Sequence, residues 1–368
     1  MSSMLFDAVL SNLRDVPFNL EFAVTNRCNL RCIQCDVWRY SEGNTAKPQA
    51  ELTTEEVHKI FSSYQGLSLV GITGGEPYLR TDLAEIVNII IETQEKLKSL
   101  SITSNGQFPE TTARTVRGIL AELARVDSGV SFTQFISIDG PKGLHDRLRG
   151  VAGAHDRAEE TIRLLCNIRD SNSSLHVGIV TDCSPFNIDQ FHEVVSHVSE
   201  LKEEYALEPS FCIWFQGQLY RNLNPRHDVD VMQFRSRVND VIPEMRSIVS
   251  GGSLVATGRT MFFDLLGLWL QNPANQIVPC GGAKIRYFLG ATGDVYPCTI
   301  FDHNVGNLRD HDLDLRILIR SSSRRETRDL VKAEKCPICC NTCETIPAMM
   351  ASPAHTAGQW LRSKLWRS

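Results

Sequence analysis

Thr25-Asn26-Arg27-Cys28-Asn29-Leu30-Arg31-Cys32-Ile33-Gln34-Cys35 places three cysteines on one short loop, in Cys-x3-Cys-x2-Cys spacing. Three thiolates this close can wrap three corners of a cubane iron–sulfur cluster. Four cysteines are the norm for such a centre, so three leave one iron with an open position. An open position is where a metal binds a substrate or cofactor. A zinc site or three structural thiols is the plainer reading of the same loop, although zinc ordinarily closes a tetrahedral set with a fourth Cys or His.

The surroundings of the loop strengthen the first reading. Asn19 to Thr25 fits a strand, with Leu20, Phe22 and Val24 alternating with polar or small residues. Beyond the loop, Thr53 and Glu56 have the spacing of a capping box that opens a helix. Ser68 to Thr73 is a short apolar strand, Leu83 to Leu97 a helix and Ser99 to Thr103 a strand. The alternation continues with a helix over Glu110 to Ala124, a strand over Phe132 to Ile138, a helix over His155 to Ile168 and a strand over Leu175 to Val180. It ends with a helix over Asp189 to Glu203 and a strand over Ser210 to Phe215. Strands alternating with helices indicate an α/β fold. Parallel sheets of this kind place ligands at the carboxyl ends of their strands, and the cysteine loop follows the first strand.

Composition sets the outer bounds. With 368 residues and 42% hydrophobic content, the chain can bury a sizeable core. A net charge of −5 gives no basic excess for nucleic acid. No apolar run reaches the ~18 residues of a membrane span. Met261 to Leu270 is the richest stretch, is broken by Asp264, and reads as a core helix or an active-site wall. The N-terminus has neither a basic region nor a long apolar segment of a signal peptide, so the expected location is cytoplasmic. Twelve cysteines in a reducing compartment read as metal ligands where they cluster. Cys28, Cys32 and Cys35 form one cluster, and Cys280, Cys298, Cys336, Cys339, Cys340 and Cys343 fall in the last quarter.

Further motifs follow the predicted strands in order. Gly74-Gly75-Glu76-Pro77 ends the second, Ser104-Asn105-Gly106 the third, and Ser137-Ile138-Asp139-Gly140 the fourth, which runs into His145-Asp146-Arg147-Leu148-Arg149-Gly150. Singly each is a turn. Together with the triad they resemble the radical S-adenosylmethionine (SAM) enzymes, over about Asn19 to Phe215. The resemblance implies a partial (β/α)6 TIM-like barrel with a [4Fe–4S] cluster on Cys28, Cys32 and Cys35. It also implies that the backbone of Gly74, Gly75 and Pro77 and the side chain of Glu76 hold the methionyl amine. Ser104, Asn105, Ser137 and Asp139 belong to the same implied site, with Arg149 pairing the cofactor's carboxylate through its planar fork. One position departs from the family: the residue before the third cysteine is commonly aromatic and packs near the adenine, and here it is Gln34, with Trp38 a candidate substitute.

The C-terminal cysteines carry a second resemblance. Twelve residues separate Cys280 from Gly293 and four separate Gly293 from Cys298. Gly293-Asp294 reads as a hairpin turn between Ile285–Leu289 and Val295–Pro297, and Val305-Gly306-Asn307-Leu308 follows. These features resemble the auxiliary-cluster domains called SPASM or, when shortened, twitch. One further [4Fe–4S] cluster is implied, on Cys280, Cys298, Cys336 and Cys339, with Cys343 a close competitor and Cys340 a weaker one. A structural zinc knuckle is the alternative. The expected organisation is an N-terminal extension at 1–18, a radical SAM core at 19–220, a helical connector at 221–272, a small cysteine-rich auxiliary-cluster domain at 273–350 and a tail at 351–368.

Cys166, Cys183 and Cys212 stand alone and read as small buried hydrophobes, with Cys183 also placed to face a cavity. His145 and Asp146 are expected to stabilise their loop. Trp214, Gln216 and Gln218 lie near the sixth strand's end, where substrate would sit, and the tail with Trp360 and Trp366 reads as an amphipathic helix docked on the barrel. The function implied is hydrogen abstraction from a small-molecule or peptide substrate, for oxidation or rearrangement, with an external reductant of the flavodoxin or ferredoxin type. A peptide or protein maturase is the alternative, and a non-catalytic metal-dependent scaffold a third. The 27 residues before Cys28 leave no room for an added peptide-recognition domain, which favours a small molecule or a peptide delivered by another protein.

Overall fold

The computed structural model describes residues 2–35, 37–42, 50–127, 129–213, 231–251, 254–273 and 276–365. Helix α1 (Ser2–Arg14) leads into β1 (Asn19–Ala23), and the cysteine loop follows. Then come α2 (Thr54–Ser63), β2 (Leu69–Thr73), α3 (Leu83–Thr93), β3 (Ser99–Ser104), α4 (Pro109–Arg125), β4 (Ser131–Ser137) and α5 (Lys142–Arg149). The repeat closes with α6 (Ala154–Arg169), β5 (Leu175–Cys183), α7 (Phe191–Tyr205) and β6 (Glu208–Ile213). β1 to β6 are parallel and adjacent in sequence order, and successive helices pack side by side on the outer face.

The local signals are physical. Thr53 caps α2 through the N–H of Glu56, while the Glu56 carboxylate accepts from the Thr53 N–H. Val57, Ile60 and Phe61 form the buried stripe of that helix. Helix α3 stops at Thr93, short of the expected Leu97, because the Gln94 side chain leaves the helix to bond the carbonyls of Phe61 (2.7 Å) and Tyr64 (3.0 Å). β5 runs three residues past Val180, since Thr181, Asp182 and Cys183 find ladder partners in Phe211, Cys212 and Ile213. β1 ends at Ala23, where the Thr25 hydroxyl turns to Glu51 (2.6 Å).

After the connector helices α8 (Val231–Val249) and α9 (Leu254–Gln271), the chain forms β7 (Arg286–Leu289), β8 (Asp294–Tyr296) and β9 (Gly306–Asn307). These strands share the barrel's sheet. β7 pairs with β1 in parallel, Asn19 opposite Arg286 and Phe22 opposite Leu289, and β8 and β9 add on antiparallel. Among the described residues the sheet has nine strands, and the 273–350 segment extends the barrel wall. Arg309 ties the segment to α2 through two 2.7 Å bonds to Glu56.

Short helices α10 (Leu315–Arg320) and α11 (Ser322–Lys332) precede α12 (Thr342–Ala351) and α13 (Pro353–Leu365). The 1–18 extension is the α1 helix, packed on α12 with Asn12 donating to the Ala351 carbonyl at 2.9 Å. The tail helix packs on α9: Trp360 and Lys364 both donate to buried Asp264, at 2.9 and 2.6 Å. Met261 to Leu270 is the core helix expected, and no described helix is long and apolar enough to cross a membrane.

Candidate active site

Alternate residues of a strand share a face. Glu21 of β1, Ser101 and Thr103 of β3, Phe135 and Ser137 of β4, Val180 and Asp182 of β5, and Ser210 and Cys212 of β6 all point inward. They line a lumen of about 350 Å³. Gly71 of β2 sits beside Glu21 in register, and a Cβ there would overlap the Glu21 carboxylate. The mid-strand glycine therefore makes room for an acid inside the barrel. Burial pushes the Glu21 carboxyl up, with Arg286 opposing the shift.

The cysteine loop covers one end of this lumen. The N–H of Gly75 donates to the Thr25 carbonyl and that of Glu76 to the Arg27 carbonyl, both at 2.7 Å. Arg31 and Ile33 donate to the last carbonyls of α5, Arg149 (3.1 Å) and Leu148 (2.9 Å). A Cβ on Gly75 would overlap the Arg27 carbonyl, so the Gly-Gly pair admits the cysteine loop itself. Cys28, Cys32 and Cys35 line the lumen, along with Gly74, Gly75, Ser104, Asn105, Ser137 and Arg149. Burial raises all three thiols, Cys28 to about 12. As ligands they must be thiolates, so binding a cationic cluster would release their protons.

Glu76, Pro77 and Asp139 lie behind this surface. Glu76 accepts from the Asn105 N–H (2.7 Å), the Ser104 hydroxyl (2.9 Å) and the Tyr78 N–H (3.1 Å). Burial nevertheless pushes its carboxyl up to about 7. Asp139 is fully buried and pairs with Arg149 Nε at 2.8 Å. Its carboxylate also accepts from Gln34 (3.0 Å) and the Asp182 N–H (3.1 Å). Burial works against the Arg149 charge, but Asp139 and the nearby Cys32 sulfur hold the guanidinium protonated. Asp139 thus orients the groups that face the lumen. His145 Nδ1 accepts the Asp139 N–H (3.0 Å), and Asp146 accepts from the N–H groups of Gly153 and His155, so both stabilise the segment, which is helical.

The C-terminal cysteines separate into groups. Cys280, Cys298, Cys336 and Cys339 are electrostatic neighbours: burial raises each thiol, and Cys280 raises the other three further. The sulfurs of Cys280 and Cys298 accept backbone N–H bonds from Gly282 (3.4 Å) and Phe301 (3.2 Å), the kind of contact that tunes iron–sulfur potentials. Cys298, Cys339 and Cys35 all pack against Ile300, so members of the two cysteine sets share one apolar neighbour. Among the described residues, no three Cys, His, Asp or Glu side chains close on a single-ion site. Cys340 is fully buried and receives the Thr345 hydroxyl. Cys343 faces the lumen.

Other placements differ from the sequence reading. Cys212 lines the lumen and does not simply fill the core. Cys183, fully buried in the core, and Cys166, packed against the Tyr205 carbonyl, are by contrast the small buried hydrophobes expected. Trp38 is half-buried under Arg39, and Val37 lines the lumen in its place. Trp214, Gln216, Gln218 and Trp366 lie outside the described residues. Glu21, Asp182 and Cys212 went unread as lumen residues, although period-2 alternation along each strand marks the shared face.

Comparisons with known proteins agree with this geometry. Residues 22–194 match the radical SAM superfamily, and residues 280–344 match an iron–sulfur cluster-binding domain, SPASM. Mycofactocin maturase MftC of Mycolicibacterium smegmatis is 25% identical over 331 residues, 88% of this chain and 76% of that protein. A GTP 3',8-cyclase of Acidothermus cellulolyticus is 30% identical over 202 residues, 52% of each chain. The solved structure of native anSMEcpe with bound AdoMet has a TM-score of 0.60 at 16% identity, covering 95% of this chain and 98% of that one. The matches at both ends, on a partial barrel whose cysteine loop follows β1, make residues 22–194 a domain of the radical SAM superfamily, which binds SAM and a [4Fe–4S] cluster, and residues 280–344 a SPASM domain, which binds auxiliary iron–sulfur clusters.

Proposed function

We propose that the chain is a cytoplasmic enzyme that cleaves SAM reductively to a 5'-deoxyadenosyl radical, which takes a hydrogen atom from a substrate in the lumen. The reaction would be an oxidation or rearrangement in a biosynthetic pathway, on a small molecule or a peptide. When bound, the N-terminal cluster supplies the electron that breaks the C5'–S bond, drawn from a flavodoxin- or ferredoxin-type reductant. The observation that carries this reading is the position of Cys28, Cys32 and Cys35 at the mouth of a lumen lined by Gly74, Gly75, Ser104, Asn105, Ser137 and Arg149.

Each of these residues has a role in the proposal. The three thiols would hold the cluster and leave one corner open. The carbonyls of Gly74 and Gly75 would accept the cofactor's amine, while the N–H groups of Gly75 and Glu76 anchor the turn to the cysteine loop. Glu76 and Pro77 fix that turn from behind. Arg149, held by Asp139, offers its remaining N–H groups to the carboxylate. Cys280, Cys298, Cys336 and Cys339 would hold the auxiliary cluster, which oxidative chemistry can use as an electron acceptor.

A second reading, a peptide or protein maturase, is favoured by one observation: the MftC relatives, named as mycofactocin maturases, align along 88% of this chain. Replacing Cys28, Cys32 and Cys35 together by Ala tests the shared chemistry. The expected result is loss of 5'-deoxyadenosine with the second cluster's absorbance retained, and persistence of the product would contradict it. Screening deuterated small molecules and peptides for label transfer into 5'-deoxyadenosine separates the two substrate classes.

A further inference from the structure

Two thiols that neither four-cysteine convergence nor the N-terminal triad uses meet inside the lumen. Cys212 is an inward residue of β6, beside Asp182 in register, and Cys343 stands on the first turn of α12. Both line the lumen, and each is the other's thiol hydrogen-bonding neighbour. The pair is held from both sides. The Thr342 hydroxyl donates to the Phe211 carbonyl (3.1 Å) and reaches the Cys212 sulfur (3.7 Å). Asn341 Oδ1 accepts the Cys343 N–H at 2.8 Å, and the Arg286 guanidinium donates to the Cys343 carbonyl.

The chemistry follows from bond strengths. Apart from Cys28, Cys32 and Cys35, whose thiols the cluster would take as ligands, the lumen is otherwise lined by hydroxyls, carboxylates, amides, the Arg149 guanidinium and ordinary C–H groups. An S–H bond is the weakest of these bonds to hydrogen, so a carbon radical held there takes its hydrogen from a thiol.

We propose that Cys212 is a hydrogen-atom donor to a carbon radical in the lumen, with Cys343 as its partner thiol. This rests on the radical reading above. In the step, the Cys212 S–H bond breaks, a C–H bond forms on the substrate carbon and a Cys212 thiyl remains. One electron from the ferredoxin- or flavodoxin-class reductant and one proton from water restore the thiol. Until then, contact with the Cys343 sulfur spreads the unpaired electron over two atoms. Hydrogen removed by the 5'-deoxyadenosyl radical and returned by Cys212 leaves the substrate's oxidation level unchanged. The outcome is a redox-neutral change, such as inversion at a carbon centre.

The test uses the reconstituted holoenzyme in D2O, with SAM and dithionite, free of added thiols and of substrate. The radical in the lumen is then the 5'-deoxyadenosyl radical itself, and the exchanged S–D of Cys212 is its deuterium source. The measurement is the deuterated fraction of the 5'-deoxyadenosine formed, by mass spectrometry, so total yield does not enter. The expected result is a labelled fraction that is lost in Cys212→Ser and kept in Cys166→Ser, whose thiol lies outside the lumen. Iron per chain in Cys343→Ser should equal that of the unsubstituted enzyme. Unlabelled product from the unsubstituted enzyme, or label that survives in Cys212→Ser, overturns the donor role. Iron loss in Cys343→Ser overturns the thiol pair. Absence of any 5'-deoxyadenosine from the unsubstituted enzyme sinks the radical reading instead.

Discussion

Arg286 on β7 and Glu344 on α12 form an ion pair at 3.0 Å, with both side chains buried. Glu344 also accepts from the Thr299 N–H (3.1 Å) and hydroxyl (2.7 Å), next to Cys298, while Glu21 approaches Arg286 from the lumen side. Removing one partner of a buried pair leaves an uncompensated charge, which costs roughly 3–5 kcal/mol. Glu344→Ala is therefore expected to lower the unfolding free energy by an amount in that range, read as a lower urea midpoint at an unchanged m-value. An unchanged midpoint would show that the pair contributes nothing to joining the cysteine-rich segment to the barrel.

The Glu76 carboxyl, raised to about 7 by burial, gives a pH dependence of stability. Between about pH 4.5 and 7 the folded state keeps a proton that the unfolded state has released. Stability from this group is full below the unfolded value and is lost as pH rises through the folded one. The loss is about 3 kcal/mol, at 1.36 kcal/mol per unit. Cluster-free protein should show this decline across the window, and Glu76→Gln should flatten it. Unfolding curves at several pH values decide the matter.

Gly75→Ala forces a methyl group against the Arg27 carbonyl. Overpacking of this kind costs about 1–3 kcal/mol, and here the displaced backbone is the cysteine loop. The variant should bind less iron at the N-terminal site while the auxiliary cluster's absorbance persists. Equal loss at both sites would point to general unfolding.

Cys340 and Cys339 are adjacent in sequence and separate in role. Cys339→Ala should remove auxiliary iron, because its thiol shares a neighbourhood with Cys280 and Cys298. Cys340→Ala should leave the iron content unchanged and cost about 1 kcal/mol, the price of a small buried cavity. Iron analysis of the two variants reads the difference directly.

The repeat was legible in the sequence because its signals are local. Alternating apolar residues in β1, the capping box of Thr53 and Glu56, and turn motifs after each strand all act within a few residues. Element ends were less legible. The stop of α3 at Thr93 depends on Gln94 reaching carbonyls on α2 and the loop after it, some 30 positions away. The inward residues needed a choice of face, and a strand read alone presents two.

The sequence by itself determined the cysteine triad, its place after the first strand and the glycines that admit it, because a short loop can hold three thiols without help from distant residues. Only the tertiary structure decided that β7 continues the sheet beside β1 and that Cys212 meets Cys343 inside the barrel. Those contacts join segments far apart in the chain. They are fixed by strand register and helix packing, which no local pattern encodes.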